Sequence, residues 1–401
     1  MSAAGGIPRL KALDGWRGVC AVLVAVMHLE ASGYLSGSHL VRNADFLVDF
    51  FFVLSGFIIA HAYGQKLAAP GDVARMLWRR FARLWPLHAA LLALLVGLEL
   101  AAHAISGLTG IARRAAAFDP AMGQSLAAIP THLVMLHSFG LHDRGTWNVP
   151  SWSISAEFWS SVVLAAIALF CGRWQRLAAA AIALLAATAV AVFASDFMRT
   201  HYDYGFQRCL FGFLVGRLLY DVRGRWQYPD ARATVVEVAT IALVGLFVVN
   251  ARGTEAALAA PIVFAVAVWV FASGRGRISR LLEAPPLQWL GTRSYSIYLV
   301  HGVVLIAVSR AGTVASAIAG RLPGIAGPPE PGLASALLSH PILADLLTMA
   351  YLAAVLLASA ATWRWIEMPA QKALNARFER SQLVRRRGNM RQEPAPVPAL
   401  P

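Results

Sequence analysis

The chain is poor in charge and almost without lysine. Only 14% of its 401 residues are charged, and three lysines stand against 32 arginines. A soluble domain of ordinary composition carries about 25% charged residues, so that class is excluded. Cysteine is scarce as well. Cys20, Cys171 and Cys209 are scattered, each inside or at the edge of an apolar run, which rules out a disulfide framework and a cysteine zinc pattern. No small-residue cleavage site follows the first apolar run, so that run reads as a transmembrane helix and not as a removed signal peptide. No internal repeat is evident. The formal charge of +14 is not gathered into one basic, aromatic-interleaved face, so nucleic acid is not an expected partner.

What fills the chain is hydrophobic sequence, 58% of it, in repeated stretches of about 17–25 residues, the length a helix needs to cross a bilayer. The spans read Leu13–Leu29, Asp45–Tyr63, Leu84–Ala104, Trp152–Cys171, Leu177–Ser195, Gly205–Tyr220, Thr234–Asn250, Ala257–Ser273, Ser294–Gly312 and Ile342–Trp363. They predict an all-α fold: a polytopic membrane helix bundle of about ten transmembrane helices, with no soluble domain. The stretch Ser125–Gly140 is short and holds Pro130, His132 and His137; it is expected to dip into the membrane or lie at its interface. With the N-terminus inside and ten spans, 23 basic residues fall on the cytoplasmic side and 9 on the other, as positive-inside topology requires. The expectation is a multi-pass protein of a bacterial inner membrane with both termini cytoplasmic. Residues 1–372 form the membrane domain. The tail 373–401, basic and then Pro-rich, is expected to be disordered and to lie near anionic lipid headgroups.

Charged side chains inside such spans are costly and are read as functional by default. Arg17 and His28 lie eleven positions apart on the first span, close to three helical turns, so they share a face about 16 Å apart along the axis. Asp14 shares that face. On the second span Asp45 and Asp49 are one turn apart and need a cationic partner, for which Arg17 and Arg42 are candidates, or a wet cavity; Ser55-Gly56 follows as a small patch, suited equally to a ligand or to a neighbouring helix. Arg79, Arg80 and Arg83 cluster on one helical face before the third span, where guanidinium forks either bind phosphates or anchor lipid headgroups; His88 follows closely. Trp152-Ser-Ile-Ser-Ala-Glu157 opens the fourth span with a polar stripe. Ser294, Tyr298 and His301 share one face of the ninth.

In order along the chain, Leu13-Asp14-Gly15-Trp16-Arg17 with His28, Asp49-Phe-Phe-Phe-Val-Leu-Ser55-Gly56-Phe57, Arg80-Phe-Ala-Arg83-Leu-Trp-Pro86, Trp152-Ser-Ile-Ser-Ala-Glu157, Leu290-Gly291 through Ser294-Tyr295-Ser296-Ile297-Tyr298-Leu299 to His301, and Trp365-Ile-Glu367-Met-Pro369 resemble the acyltransferase-3 family of bacterial membrane O-acyltransferases, over residues 7–372. Each motif alone is weak; six in collinear order on ten helices are specific. The departures are Ile154 in place of a commoner Leu and Met368 in place of the usual Arg.

The resemblance implies transfer of an acyl group, usually acetyl from acetyl-CoA, to a sugar hydroxyl of a glycan or glycolipid. In that chemistry His28 is the expected general base and Arg17 the stabiliser of the oxyanion. Glu157 orients the histidine or positions the acceptor. Arg80 and Arg83 hold the phosphates of acyl-CoA, Ser55 and Gly56 line its passage, and Asp14, Asp49, Trp152, Ser294, Tyr298 and His301 support. Acyl-CoA enters as a substrate; no permanently bound cofactor and no metal site are expected. The competing class is a transporter or flippase of a glycan or lipid-linked sugar, but transporters often carry inverted repeats. A membrane-bound acyltransferase of the histidine-plus-asparagine type is disfavoured because no span holds an internal Asn.

Overall fold

The computed structural model describes residues 9–64, 67, 69–109, 116–224, 229–319 and 340–392. Lys66, Arg113, Arg114, Arg225 and Arg321, counted in the charge asymmetry, and the Pro-rich residues 393–401 lie outside them. Among the described residues there is no strand.

Every expected span is helical. The long helices are α1 (Lys11–Met27), α2 (Leu47–Tyr63), α3 (Pro70–Thr109), α4 (Trp152–Phe170), α5 (Gln175–Phe193), α6 (Gly205–Val222), α7 (Ala233–Asn250), α8 (Ala260–Ala272), α9 (Pro285–Ala319), α10 (Pro341–Thr362) and α11 (Met368–Gln392). Eight helical stretches among the described residues are long and apolar enough to cross a membrane. The two remaining expected spans are α1, at 17 residues, and α6, which carries Arg208, Arg217 and Asp221. Both are shielded by neighbours: α1 packs along α9, and α6 sits between α2, α4 and α5. Large apolar side chains face outward on α5 and α10, Leu184 and Leu185 at 68% exposure and Leu357 at 73%, the inverse of a soluble surface and the pattern a lipid solvent favours. The Ser125–Gly140 stretch does not cross. It forms only a short helix, Ala128–Leu133, and packs on α3, where Trp85 Nε1 donates to Leu133 O at 2.9 Å.

Two seams of backbone contact set the bundle. A Cβ on Gly18 would stand 2.6 Å from Leu290 Cβ, and one on Gly291 would collide with the Asp14 carbonyl, so α1 and α9 touch without side chains between them. Gly56 meets the Phe213 carbonyl and Gly216 meets the Val53 carbonyl, which joins α2 to α6 in the same way. Of the two readings of Ser55-Gly56, Gly56 therefore belongs to a helix seam.

The 40-residue α3 is roughly 60 Å long at 1.5 Å per residue, about twice a hydrocarbon core, so its arginine-rich first third continues the span as one helix. Pro86 lies inside it. Between α10 and α11 the chain passes through a π-helical turn, Trp363–Glu367. Helix α11 then runs back along α3, held by a Trp78–Phe378 stack at 5.4 Å, by Trp78 Nε1 donating to Leu374 O at 3.2 Å and by an Arg79–Glu379 pair at 3.6 Å. Residues 373–392, the basic part of the segment expected to be disordered, are thus helical, because aromatic contacts to α3 supply what their composition does not. With ten spans, reporter fusions after Met122 and after Gln392 should report opposite sides of the membrane; the same side for both would remove the ten-span topology.

Candidate active site

Three cavities lie in series through the bundle. The first, about 600 Å³, is lined by Arg9, Asp14, Arg17, His61, Arg83 and Glu367. The second is a waist of about 80 Å³, lined by Arg17, Phe51, Ser55, Arg80, Arg83, Ser153, Glu157, Ser294, Tyr295 and Tyr298. The third, about 590 Å³, is lined by His28, Glu30, Arg42, Asp45, Trp152, Arg199, His201, Arg208, Arg252 and Tyr298. Arg17, Leu54, Ile58 and Arg83 wall both the first cavity and the waist, while Val48 and Tyr298 wall both the waist and the third. The order follows from α1: its Arg17 stands three turns before His28, so the two side chains open into cavities at opposite ends of the series.

At the third cavity His28 caps α1. Its Nδ1 lies 2.9 Å from Val24 O, a contact that only a protonated Nδ1 satisfies, which leaves Nε2 with the free lone pair. The His301 ring lies 4.8 Å away, and neither His301 nitrogen has a hydrogen-bond partner. Tyr298, one turn earlier on α9, has its hydroxyl 3.0 Å from Ser153 Oγ. Burial holds the imidazole of His201, in the loop before α6, below its usual range.

At the waist Glu157 is tied to Arg80, and Ser55 Oγ donates to Glu157 Oε1 at 2.6 Å. Glu157 therefore braces Arg80 across α2, α3 and α4 and does not reach His28. Arg83, one turn beyond Arg79, makes no ion pair or hydrogen bond among the described residues and points into the cavity. Ser294 Oγ is buried there with no partner. Asp14 pairs with Arg9 at 2.5 Å and with Arg17 at 3.6 Å.

Asp49 opens into none of these spaces. Its partner is neither Arg17 nor Arg42 but Arg208, which donates from Nε at 3.0 Å and from Nη2 at 2.8 Å; both side chains are essentially buried. The fork fits because α6 packs flush on α2 through Gly56 and Gly216. Asp45 pairs with Arg199 at 2.7 Å.

Some site groups were missed by the sequence reading. Arg208 is one of the nine basic residues that the ten-span topology puts on the outer side, although its place inside the span Gly205–Tyr220 marks it as a costly intramembrane charge. Glu367 was seen only as part of a closing motif; the π-helical turn aims it at Ser296, whose Oγ donates at 2.5 Å, so two motifs meet at the first cavity. The buried histidines His88, His132 and His137 come together beside α3, a meeting that no spacing foretold. Burial, and then the neighbouring His88 ring, push the His137 imidazole down to about 3.

A family model described as an acyltransferase domain matches residues 10–364, which hold most of the residues that wall the three cavities. The chain is similar to the protein called "Protein 2 in picA locus" of Rhizobium radiobacter, 35% identical over 167 residues, which is 38% of this chain and 79% of that relative. It is also similar to the acyltransferase MdmB of Streptomyces mycarofaciens, 28% identical over 162 residues, covering 38% of this chain and 37% of that relative. No solved structure matches it.

Proposed function

The chain belongs to the acyltransferase-3 family of membrane acyltransferases, and from that premise we propose that it moves an acetyl group from acetyl-CoA to a hydroxyl of a carbohydrate or glycoconjugate across its own waist. The observation that carries this reading is the series of cavities with shared walls. Donor and acceptor can approach from opposite ends and meet where Tyr298 separates the waist from the His28 cavity.

The charged groups divide accordingly. Arg83, unpaired, and Arg17 serve the donor's phosphates at the first cavity. The waist walls, Phe51, Leu54, Ile58 and Tyr295 among them, suit a slender thioester arm. His28 Nε2 takes the proton of the acceptor hydroxyl as its oxygen attacks the thioester carbonyl. The C–S bond then breaks, the thiolate leaves, and the imidazolium returns the proton to sulfur. About 16 Å of helix separates Arg17 from the base His28, so the donor to the oxyanion is better sought in the Tyr298 hydroxyl than in Arg17. The third cavity, with Arg42, Arg199, Arg208 and Arg252 in its wall, accommodates an acceptor that carries anionic groups. In this reading the chain sits in a bacterial inner membrane with the first cavity facing the cytoplasm, where acyl-CoA is made.

Mass spectrometry of surface glycans from cells with and without the intact chain tests the reading directly. A shift of one acetyl mass is expected. Less glycan at the surface with unchanged acylation would put the transporter or flippase reading in its place.

Arg83 and Arg80 are expected to separate in kinetics. Arg83→Ala should raise the apparent KM for acyl-CoA several-fold while leaving kcat within about twofold, since contacts far from the reacting carbon supply binding in ground and transition states alike. Arg80→Ala frees Glu157 in the waist and should lower both kcat and protein yield. An unchanged donor dependence in Arg83→Ala returns that side chain to lipid anchoring.

A further inference from the structure

His88 on α3, and His132 and His137 on the 125–140 segment, are all buried, and one ligand-capable atom from each lies within 4.8 Å of the other two. The ring centroids of His132 and His137 are 3.8 Å apart, and the His88 ring is 5.6 and 5.4 Å from them. None of these residues lines the three cavities, so acyl transfer leaves the cluster unused.

Its hydrogen bonds have one pattern. His88 Nε2 is 3.0 Å from His132 O, His132 Nε2 is 2.8 Å from Thr146 Oγ1, and His137 Nε2 is 3.1 Å from Ser151 Oγ. A carbonyl accepts only from a protonated Nε2, which puts the His88 lone pair on Nδ1; the Thr146 and Ser151 hydroxyls are able to accept from Nε2 in the same tautomer of His132 and His137. All three Nδ1 atoms are buried and without a hydrogen-bond partner. Three unpartnered ring nitrogens in one apolar place are expensive, and an outer hydrogen bond to the other nitrogen of a ligand histidine is what metal sites provide.

We propose that His88, His132 and His137 bind one divalent transition-metal ion of the zinc class through their Nδ1 atoms. The donor set is imidazole alone, which suits zinc, copper or nickel and not magnesium or calcium. In a tetrahedral zinc site the nitrogens stand about 3.3 Å apart, so loading draws the donor atoms, now within 4.8 Å of one another, closer and splays the stacked His132 and His137 rings. The role is structural. The ion ties the 125–152 stretch, whose Val149 and Trp152 line the His28 cavity, to the middle of α3.

The test uses the full chain in detergent, purified without a polyhistidine tag or a metal column. Elemental mass spectrometry should find about one zinc per chain. Removal by a strong chelator should lower the thermal unfolding midpoint, and titration with zinc chloride should restore it. The variant His132→Ala/His137→Ala should retain at least tenfold less metal. The wild-type measurements stand even where that variant fails to fold. Wild-type chain that holds under about 0.1 zinc per chain, and whose midpoint does not move when zinc is added, overturns the proposal. So does a folded variant that keeps its full metal content.

Discussion

His28→Ala should abolish transfer while the chain stays inserted in the membrane at wild-type abundance. A sugar hydroxyl is a weak nucleophile near neutral pH, and loss of a positioned base costs about 10²–10⁴-fold. The side chain is placed for that work: Nδ1 is engaged with Val24 O, and the ring forms part of the wall of the larger cavity beyond the waist. His28 makes no ion pair and its removal opens no buried charge, so the expected stability change is small beside the loss of rate. Acylation of glycan, measured at matched membrane abundance, decides the matter. If His28→Ala still acylates at near wild-type levels, His28 is not the base, and His301, 4.8 Å away, takes its place as the residue to change.

The second large effect is on folding. Asp49→Ala leaves the Arg208 guanidinium buried without its carboxylate, and breaking a buried pair by removing one partner costs on the order of 3–5 kcal/mol. Thermal unfolding in detergent should show a clear drop in midpoint and in the monodisperse fraction. The double variant Asp49→Leu/Arg208→Met removes both charges and should recover most of the lost stability. It should not recover activity, because Arg208 is also part of the His28 cavity wall. A single variant that unfolds at the wild-type temperature, or a double variant no better than the single, would show that the pair does not hold α2 to α6.

His28 was legible as a titratable residue on an apolar helix three turns from Arg17, and its motif neighbours carried the family. That Arg17 and His28 open into different cavities was not legible. Helical periodicity places two side chains on one face, but whether a neighbour closes the space between them depends on α2 and α9 packing across it. Glu157 is a similar case. Its rarity inside a span marked it, yet its partner Arg80 is 77 positions away, and nothing local chooses between Arg80, His28 and an acceptor hydroxyl.

Asp49 illustrates the limit most clearly. The need for a cation or a wet cavity follows from the cost of a bare carboxylate in a span, but the cation sits 159 positions away, where nothing local points to it. The Ser55-Gly56 pattern suits ligand contact and helix packing equally; the close carbonyl of Phe213 decides for packing. The tail went the other way: its composition argued against order, and Trp78 with Phe378 supplied it.

By itself, then, the sequence determined where the apolar helices lie, the family and most of the charges that those helices carry. These are local quantities, fixed by bilayer thickness, helical period and the cost of placing an ion in hydrocarbon. Only the tertiary structure decided which charges pair, which glycines bring backbones together, how three cavities share their walls and where three histidines meet. Those depend on which helices touch, and a contact between residues far apart in the chain is set by the packing of all the others.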